Sequence, residues 1–435
     1  MRTLPRTALL RVLLALLALA SMGMVLCAPD ARTPWWGITG NFLDVNVYRW
    51  GGHAVLSSIP LYEGLLTGDD SGRFYPEMPF TYPPFSALLF TPLNLVRPRL
   101  MEALWLALTL VLIYLAVRMC FRALDYRPDR VTVQVSVCLA LITLSMEPVR
   151  STVWLGQVNV LLLVLVLGDH LAWRSGRRWA GIGAGLAAGI KLTPAFLWGH
   201  WVLTGRWRLA VVSVVAFLGT VAIGLVVIPG DAIRYWSGTL FDSQRIGRDS
   251  MLANQSLRGA MARLAGVEMA PTWAWLVGAA VVAAGGLGVS ALAHRAGHQL
   301  LGLTLAGMTM TMVSPFSWGH HWVWFVPLLV LTVHYAAAGT RRSLWLVPPL
   351  LWSATANWVQ SFPDVNFPDD RWVAMGLFML GGDIPPVIHG VMTNIYPLVW
   401  LVVTVATAVV VTRGRRARAR RPRAHGEHAR GASPD

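Results

Sequence analysis

The sequence predicts an all-α polytopic integral membrane protein. Of its 435 residues, 55% are hydrophobic and only 13% charged, where a soluble domain carries about 25% charged residues. Mean hydropathy is +0.54, and apolar runs near twenty residues, long enough to cross a bilayer as helices, recur along the chain. The apolar–polar alternation of an outer-membrane barrel is absent.

The net charge of +15 does not point to nucleic acid. Much of it lies between Arg413 and Arg423, and the rest in short loops between apolar runs. Positive charge there sets topology and meets anionic headgroups, so membrane lipids are the expected surroundings. Cys27, Cys120 and Cys138 lie in or beside apolar segments. They form neither a metal-ligand spacing nor a disulfide framework.

The rule that positive loops stay in the cytoplasm orders the spans. Arg2, Arg6 and Arg11 hold the N-terminus inside. They precede an apolar run to Leu26, as in a signal peptide. Leu26 before Cys27 does not fit a lipoprotein cleavage site, and an uncleaved signal anchor is the simpler expectation. The first span, 9 to 28, leads to a periplasmic loop at 29 to 80 with more acids than bases. Phe80 to Val96 is apolar but carries Pro83, Pro84 and Pro92. A full crossing there would force the Arg118–Arg130 cluster outside, so a partly embedded outer-face segment is expected.

Spans follow at roughly 101–121, 131–146 and 153–173. Residues 180 to 204 have basic clusters on both sides. A re-entrant hairpin pivoting near Thr193–Pro194 keeps both inside, with glycines at 181, 183, 185 and 189 for close packing. Further spans are expected at roughly 209–228, 273–293, 299–313, 322–338, 344–358 and 391–412. Periplasmic loops at 229–271 and 359–390 separate them. That gives about ten full spans plus the hairpin, or about twelve if the hairpin counts as two. Periplasmic juxtamembrane helices complete the plan, and both termini are cytoplasmic. Residues 413–435 read as a disordered basic tail.

Chemistry gathers in a few stretches. FLDVNVYRWG, Phe42 to Gly51, carries Asp44, Tyr48 and Arg49. In a helix Asp44 and Tyr48 fall at i and i+4, on one face. An acid, a phenol and a guanidinium there could hold a sugar and a phosphate; an interfacial helix with ordinary charges gives the same pattern. Lys191, in GAGLAAGIKLTPAFLW, is the only lysine in the chain. A charge in such a run is costly without a partner, and a compact ammonium suits a lipid phosphate. A snorkelling or internally paired lysine is the alternative.

In SPFSWGHHW, His320 and His321 are adjacent, so they face different sides and cannot comfortably share a metal ion. One of them could donate to phosphate or sugar. Gln157 and Asn159, in WLGQVNVLL, could bind sugar or join neighbouring helices. The loop DSQRIGRDSMLANQSLRG holds Arg245, Arg248, Asn254, Gln255 and Arg258, which could grip an anionic headgroup or form a solvated face.

Taken in order, Asp44 after the first span, TYPPF with Tyr82, GQVN, the KLTP lysine and SPFSWGHHW resemble one family. The chain is similar to the actinobacterial polyprenol-phosphate-mannose-dependent α-(1→2)-mannosyltransferases of the GT-C superfamily (glycosyltransferase family 87, PimE-like). The resemblance covers most of residues 1–412, which it implies form one GT-C transmembrane catalytic domain in the bacterial plasma membrane. It implies a polyprenyl-phosphate-mannose donor used on the periplasmic side. The implied acceptor is a lipid-anchored glycan such as a phosphatidylinositol mannoside. Asp44 matches the family's general base. The paired-acid form of that motif is missing, because Asn46 stands two residues on, so neither a divalent metal nor another cofactor is expected.

A β-linked mannosyl phosphate giving an α-linkage inverts the anomeric centre. A single displacement needs one base and no enzyme nucleophile. The phosphate leaves as a stable anion and needs positive charge or hydrogen bonds. Lys191, Arg258, His320 and His321 are the candidates for the phosphate; Tyr48, Arg49, Tyr82, Gln157, Asn159, Asn254 and Gln255 are candidates to position substrate. A polyprenyl-phosphate-arabinose donor or a lipomannan branch-point acceptor remains open. A lipid-glycan transporter would need a polar path across the midplane and often two related halves; neither shows in the sequence.

Overall fold

The structure, a computed structural model, describes residues 2–4, 8–26, 41–64, 78–242, 247–362 and 371–419. Cys27, Asp69, Asp70, Arg245 and the tail beyond 419 lie outside the described residues.

The described chain is mainly helical, and its long apolar helices make it a multi-pass membrane protein. Among the described residues, five helical stretches are long and apolar enough to cross a bilayer: Pro98–Ala123 (α4), Trp207–Val227 (α10), Thr272–Arg295 (α13), Gly319–Ala338 and Ile395–Gly414. Before α4 come α1 (Ala8–Leu26), α2 (Leu43–Leu56) and the short α3 (Pro84–Leu89). Between α4 and α10 lie α5 (Arg130–Thr143), α6 (Glu147–Leu155), α7 (Asn159–Arg174), α8 (Ile182–Ile190) and α9 (Leu197–Leu203). Then come α11 (Pro229–Ser237), α12 (Leu257–Ala265), α13, α14 (Gln299–Val313), α15 (Phe325–Ala338), α16 (Val347–Thr355), α17 (Pro386–Thr393) and α18 (Ile395–Ala419).

Three of the expected crossings are shorter than a straight span. The helices at 131–146 and 299–313 have 14 and 15 residues, and at 344–358 a 5-residue 3-10 turn, Arg342–Leu346, leads into a helix of 9. They reach only about 21, 22 and 24 Å against a hydrocarbon core of about 30 Å. The expected span at 153–173 is instead a pair, α6 and α7, with a bend of 116° between them. Gly156 makes that corner, with φ 69°, where the left-handed region favours glycine. A Cβ on Gly156 would lie 2.7 Å from Val45 of α2, so α2 presses directly on the corner.

The fold also departs from all-helix. Asn357–Phe362 (β1) and Arg371–Gly376 (β2) form an antiparallel pair, with Asn357 opposite Gly376 and Phe362 opposite Arg371. The strand replaces the end of the span expected at 344–358 and the start of the following loop. The backbone N–H of Asn357 donates to the Ser145 carbonyl (2.8 Å), which ties the sheet to the chain just ahead of α6.

The segment 180–204 doubles back on itself. Along α8, the Cα faces of Gly181, Gly185 and Gly189 meet Leu209, Ser213 and Thr220 of α10 in that order, so α8 and α10 run the same way. The chain then breaks: Lys191 is extended (φ −147°, ψ 121°) and Thr193–Phe196 forms a 3-10 turn. α9 returns beside α13, with Gly199 against Leu287 and the Leu203 carbonyl accepting from Arg295 (2.8 Å). It ends where α10 begins. Lys191 therefore sits at the tip of a hairpin wedged between helices.

Small residues make the wedge possible, because backbones approach closely only where no side chain intervenes. A Cβ at Gly185 would collide with the Ser213 carbonyl oxygen. One at Gly219 would meet nothing within 4 Å. Gly185→Ala is expected to cost about 1–3 kcal/mol through overpacking, read as a lower melting temperature of the purified protein in detergent. Gly219→Ala should melt as the wild type does.

Candidate active site

The site forms where α2 and the hairpin tip converge on the α6–α7 corner. At the start of α2 the backbone N–H of Phe42 donates to the Trp154 carbonyl (3.1 Å), which fixes the helix against α6. Further along α2, Tyr48 is fully buried. Its ring stacks on Phe90 (4.7 Å between centroids) and meets Tyr82 edge-on (5.0 Å). Its hydroxyl donates to Gln157 Oε1 (2.9 Å), accepts from the Val158 N–H (3.3 Å) and lies 3.2 Å from the Tyr82 hydroxyl. Gln157 Nε2 donates to Tyr82 (3.4 Å) and also to the Asp44 carboxylate.

Asp44 is half-buried. Loss of water around its carboxylate pushes its pKa from the ordinary carboxylate range up to about 6, while the Gln157 hydrogen bond and the Lys191 charge pull it back down. The carboxylate is thus more basic than usual and still ionised near neutral pH.

Asn159 opens α7. Its Nδ2 donates to the His320 carbonyl (2.9 Å), and its Oδ1 accepts from Lys191 Nζ (3.1 Å). Lys191 Nζ also lies 2.9 Å from His321 Nε2 and 5.7 Å from the centre of the Tyr82 ring. An ammonium only donates, so His321 accepts at Nε2 and carries its proton on Nδ1. Beside Lys191, Asn159 and His321 is a cavity of about 30 Å³, which Thr311 and Ser317 also line.

Asp44, Tyr48, Tyr82, Gln157, Asn159, Lys191 and His321 thus form one cluster. The other expected site residues stand differently. Arg49 follows Tyr48, about 100° further round the helix, and enters none of these bonds; its backbone carbonyl accepts from Asn94 (2.9 Å). The His320 ring is steeply inclined to that of His321 (80°), and its buried Nε2 has no partner among the described residues. What His320 lends the cluster is its carbonyl.

Arg258 is buried against Asp249 (2.8 Å) and over the Trp275 ring (5.4 Å). Its guanidinium braces the segment ahead of α13. Asn254 Oδ1 accepts from the Ser317 N–H (3.0 Å), and the Gln255 N–H donates to the Ser317 carbonyl (2.7 Å). Gln255 Nε2 also donates to the Thr393 carbonyl (2.8 Å). These two residues clamp the SPFSWGHHW stretch, and so set where His321 stands. Asn46 turns into the packing, donating to Glu102 (3.1 Å).

Glu147 opens α6. It is buried, and its carboxylate accepts from Ser151 (2.7 Å) and Tyr396 (2.7 Å). A Cβ on Gly319 would collide with that carboxylate, so Glu147 packs directly against the turn that carries the two histidines. Nothing in its local spacing marks this role.

The family model of glycosyltransferase family 87 matches residues 80–315, a stretch that includes Tyr82, Gln157, Asn159 and Lys191. A polyprenol-phosphate-mannose-dependent α-(1-2)-phosphatidylinositol pentamannoside mannosyltransferase of Mycolicibacterium smegmatis is 33% identical over 341 residues, covering 76% of this chain and 80% of that protein. Its namesake from Mycobacterium tuberculosis is 35% identical over 318 residues, 72% of this chain and 71% of that protein. A polyprenol-phosphate-mannose-dependent α-(1-2)-phosphatidylinositol mannoside mannosyltransferase of M. smegmatis is 32% identical over 336 residues, 71% of this chain and 74% of that protein. No solved structure matches the chain. With a family match over more than half its length and relatives of this likeness, the chain belongs to glycosyltransferase family 87.

Proposed function

We propose that the protein transfers mannose from polyprenyl phosphate mannose to a phosphatidylinositol mannoside, forming an α-(1→2) linkage with inversion. Asp44 acts as general base. The observation that carries this reading is the joining of a raised carboxylate, Asp44, to a half-buried ammonium, Lys191, through Gln157 and Tyr82 in one network. The names of the relatives support the donor and the acceptor.

The chemistry divides between the two ends of that network. Asp44 takes the proton from the acceptor's 2-hydroxyl as the oxygen attacks the anomeric carbon. The C1–O bond to phosphate breaks, and the electron pair leaves with the phosphate. Lys191, held by Asn159 and His321, neutralises the charge that develops there. Tyr48, Tyr82 and Gln157 fix the distance between base and cation. Arg49 takes no part in the cluster and His320 serves it through its carbonyl; Arg258, Asn254 and Gln255 act through the segments they brace.

We place this end of the bundle at the periplasmic surface and both chain termini in the cytoplasm. Arg122, Arg174 and Arg295 close α4, α7 and α13, and basic ends of this kind stay inside. The short helices α5, α14 and α16 and the hairpin complete a plan of about ten crossings plus the hairpin.

The test is transfer by purified protein in lipid, with labelled polyprenyl phosphomannose and purified phosphatidylinositol mannosides. Asp44→Asn keeps the shape and loses the base, so kcat should fall by about 10²–10⁴-fold. Undiminished transfer by this variant would remove Asp44 from the chemistry. A polyprenyl phosphoarabinose donor, run alongside, should give no product.

The pH profile supplies a second test. Asp44 works as a base only when ionised, and its pKa is raised to about 6. The rate should therefore decline as pH falls through about 6 and level off above it. Lys191 lowers that pKa, so Lys191→Met should move the acidic limb to higher pH as well as weaken donor binding. An unmoved limb would show that the two groups are not coupled.

A further inference from the structure

At the end of the bundle away from Asp44 the chain lines an open cavity of about 590 Å³. Three helical stretches connect it to the candidate active site. α7 starts there at Asn159 and ends here at Arg174. α14 starts here at Gln299 and ends there beside Thr311. The stretch from His321 runs through α15 to His334 and Tyr335 here. Along α7 the two places are about 22 Å apart.

The cavity has two kinds of surface. Arg2, Arg174 and His298, with the Asp125 carboxylate among them, make its polar mouth, while Leu124, Leu301 and Ala338 form a partly exposed apolar wall. The arginines rest on built supports. The Arg2 backbone pairs with Asp125 and Arg127 (2.8 and 3.0 Å), and its guanidinium donates to His334 Nε2 (3.2 Å). His334 is buried and bonded in turn to Tyr126 (2.9 Å). Arg174 is held by both oxygens of Asp125 (2.8 and 3.0 Å). Neither the mouth nor its arginines take part in the cluster around Asp44.

We propose that this cavity binds an anionic phospholipid, with the phosphate at the Arg2–Arg174 mouth and the upper acyl chains along the apolar wall. Guanidinium groups match phosphate in charge and geometry. Basic pockets between helices at a membrane surface suit such headgroups. A free phosphate would leave the partly exposed lining of Leu124, Leu301 and Ala338 uncovered, where the upper acyl chains of a lipid would cover it. The proposal does not rest on the transfer reaction.

The experiment is native mass spectrometry of the delipidated full chain with phosphatidylglycerol, phosphatidylcholine or inorganic phosphate. Phosphatidylglycerol should bind roughly 30-fold more tightly than phosphatidylcholine if both arginines contribute. Arg2→Gln with Arg174→Gln should abolish the preference, and Arg342→Gln, outside the cavity, should keep it. Because Arg174 also braces Asp125, Ala338→Trp provides an independent block: it fills the mouth and leaves both arginines in place. Its lipid binding should fall while its melting temperature holds. Equal binding of the two lipids by wild type, or unchanged binding by both cavity variants, would overturn the site. Displacement of the lipid by micromolar inorganic phosphate would overturn the lipid assignment in favour of a soluble phosphate.

Discussion

An ammonium group among apolar helices must be solvated by something, and the arrangement of this protein around Lys191 answers that need. Asn159 supplies an oxygen, His321 a ring nitrogen and Tyr82 the face of its ring. Each comes from a different part of the chain, so satisfying one charge draws three segments together. An unpartnered charge in such surroundings costs several kcal/mol. The broken hairpin, the α6–α7 corner and the turn before α15 are the backbone irregularities that bring those partners within reach. Irregular backbone at membrane depth is tolerated where it lies inside protein.

The same need explains why the cluster is assembled from short pieces. A continuous helix through residues 180–204 would carry Lys191 past its partners. Extended backbone at Lys191 and a 3-10 turn after it stop the chain at that level. The glycines of α8 let the hairpin enter between α7 and α10 without opening a gap.

Much of this was legible in sequence, for physical reasons that differ by residue. Asp44 and Tyr48 share a helical spacing, and Lys191 is conspicuous as the one lysine in an apolar run. The adjacent histidines had to face apart, and the structure turns only the His321 ring toward Lys191. Asn254, Gln255 and Arg258 were not separable from substrate-binding residues, because polar loop residues carry no periodicity that tells bracing from binding. The strand pair at 357–376 was hidden for a similar reason: the segment is short, and its aromatic and β-branched residues also suit the end of an apolar helix. Glu147 depends on Tyr396, 249 positions away in sequence, a distance over which no local pattern extends.

The hydrogen bonds around Gln157 use both ends of its amide. The Val158 peptide N–H donates to Tyr48, the Tyr48 hydroxyl donates to the Gln157 carbonyl oxygen, and the amide nitrogen is left to face Tyr82 and Asp44. An amide nitrogen has no lone pair to pick up a proton. On the proposed mechanism, a proton taken up by Asp44 finds no acceptor inward along this chain of bonds. Such a proton would leave on the side where the proposed acceptor binds, and the base would be reset from there.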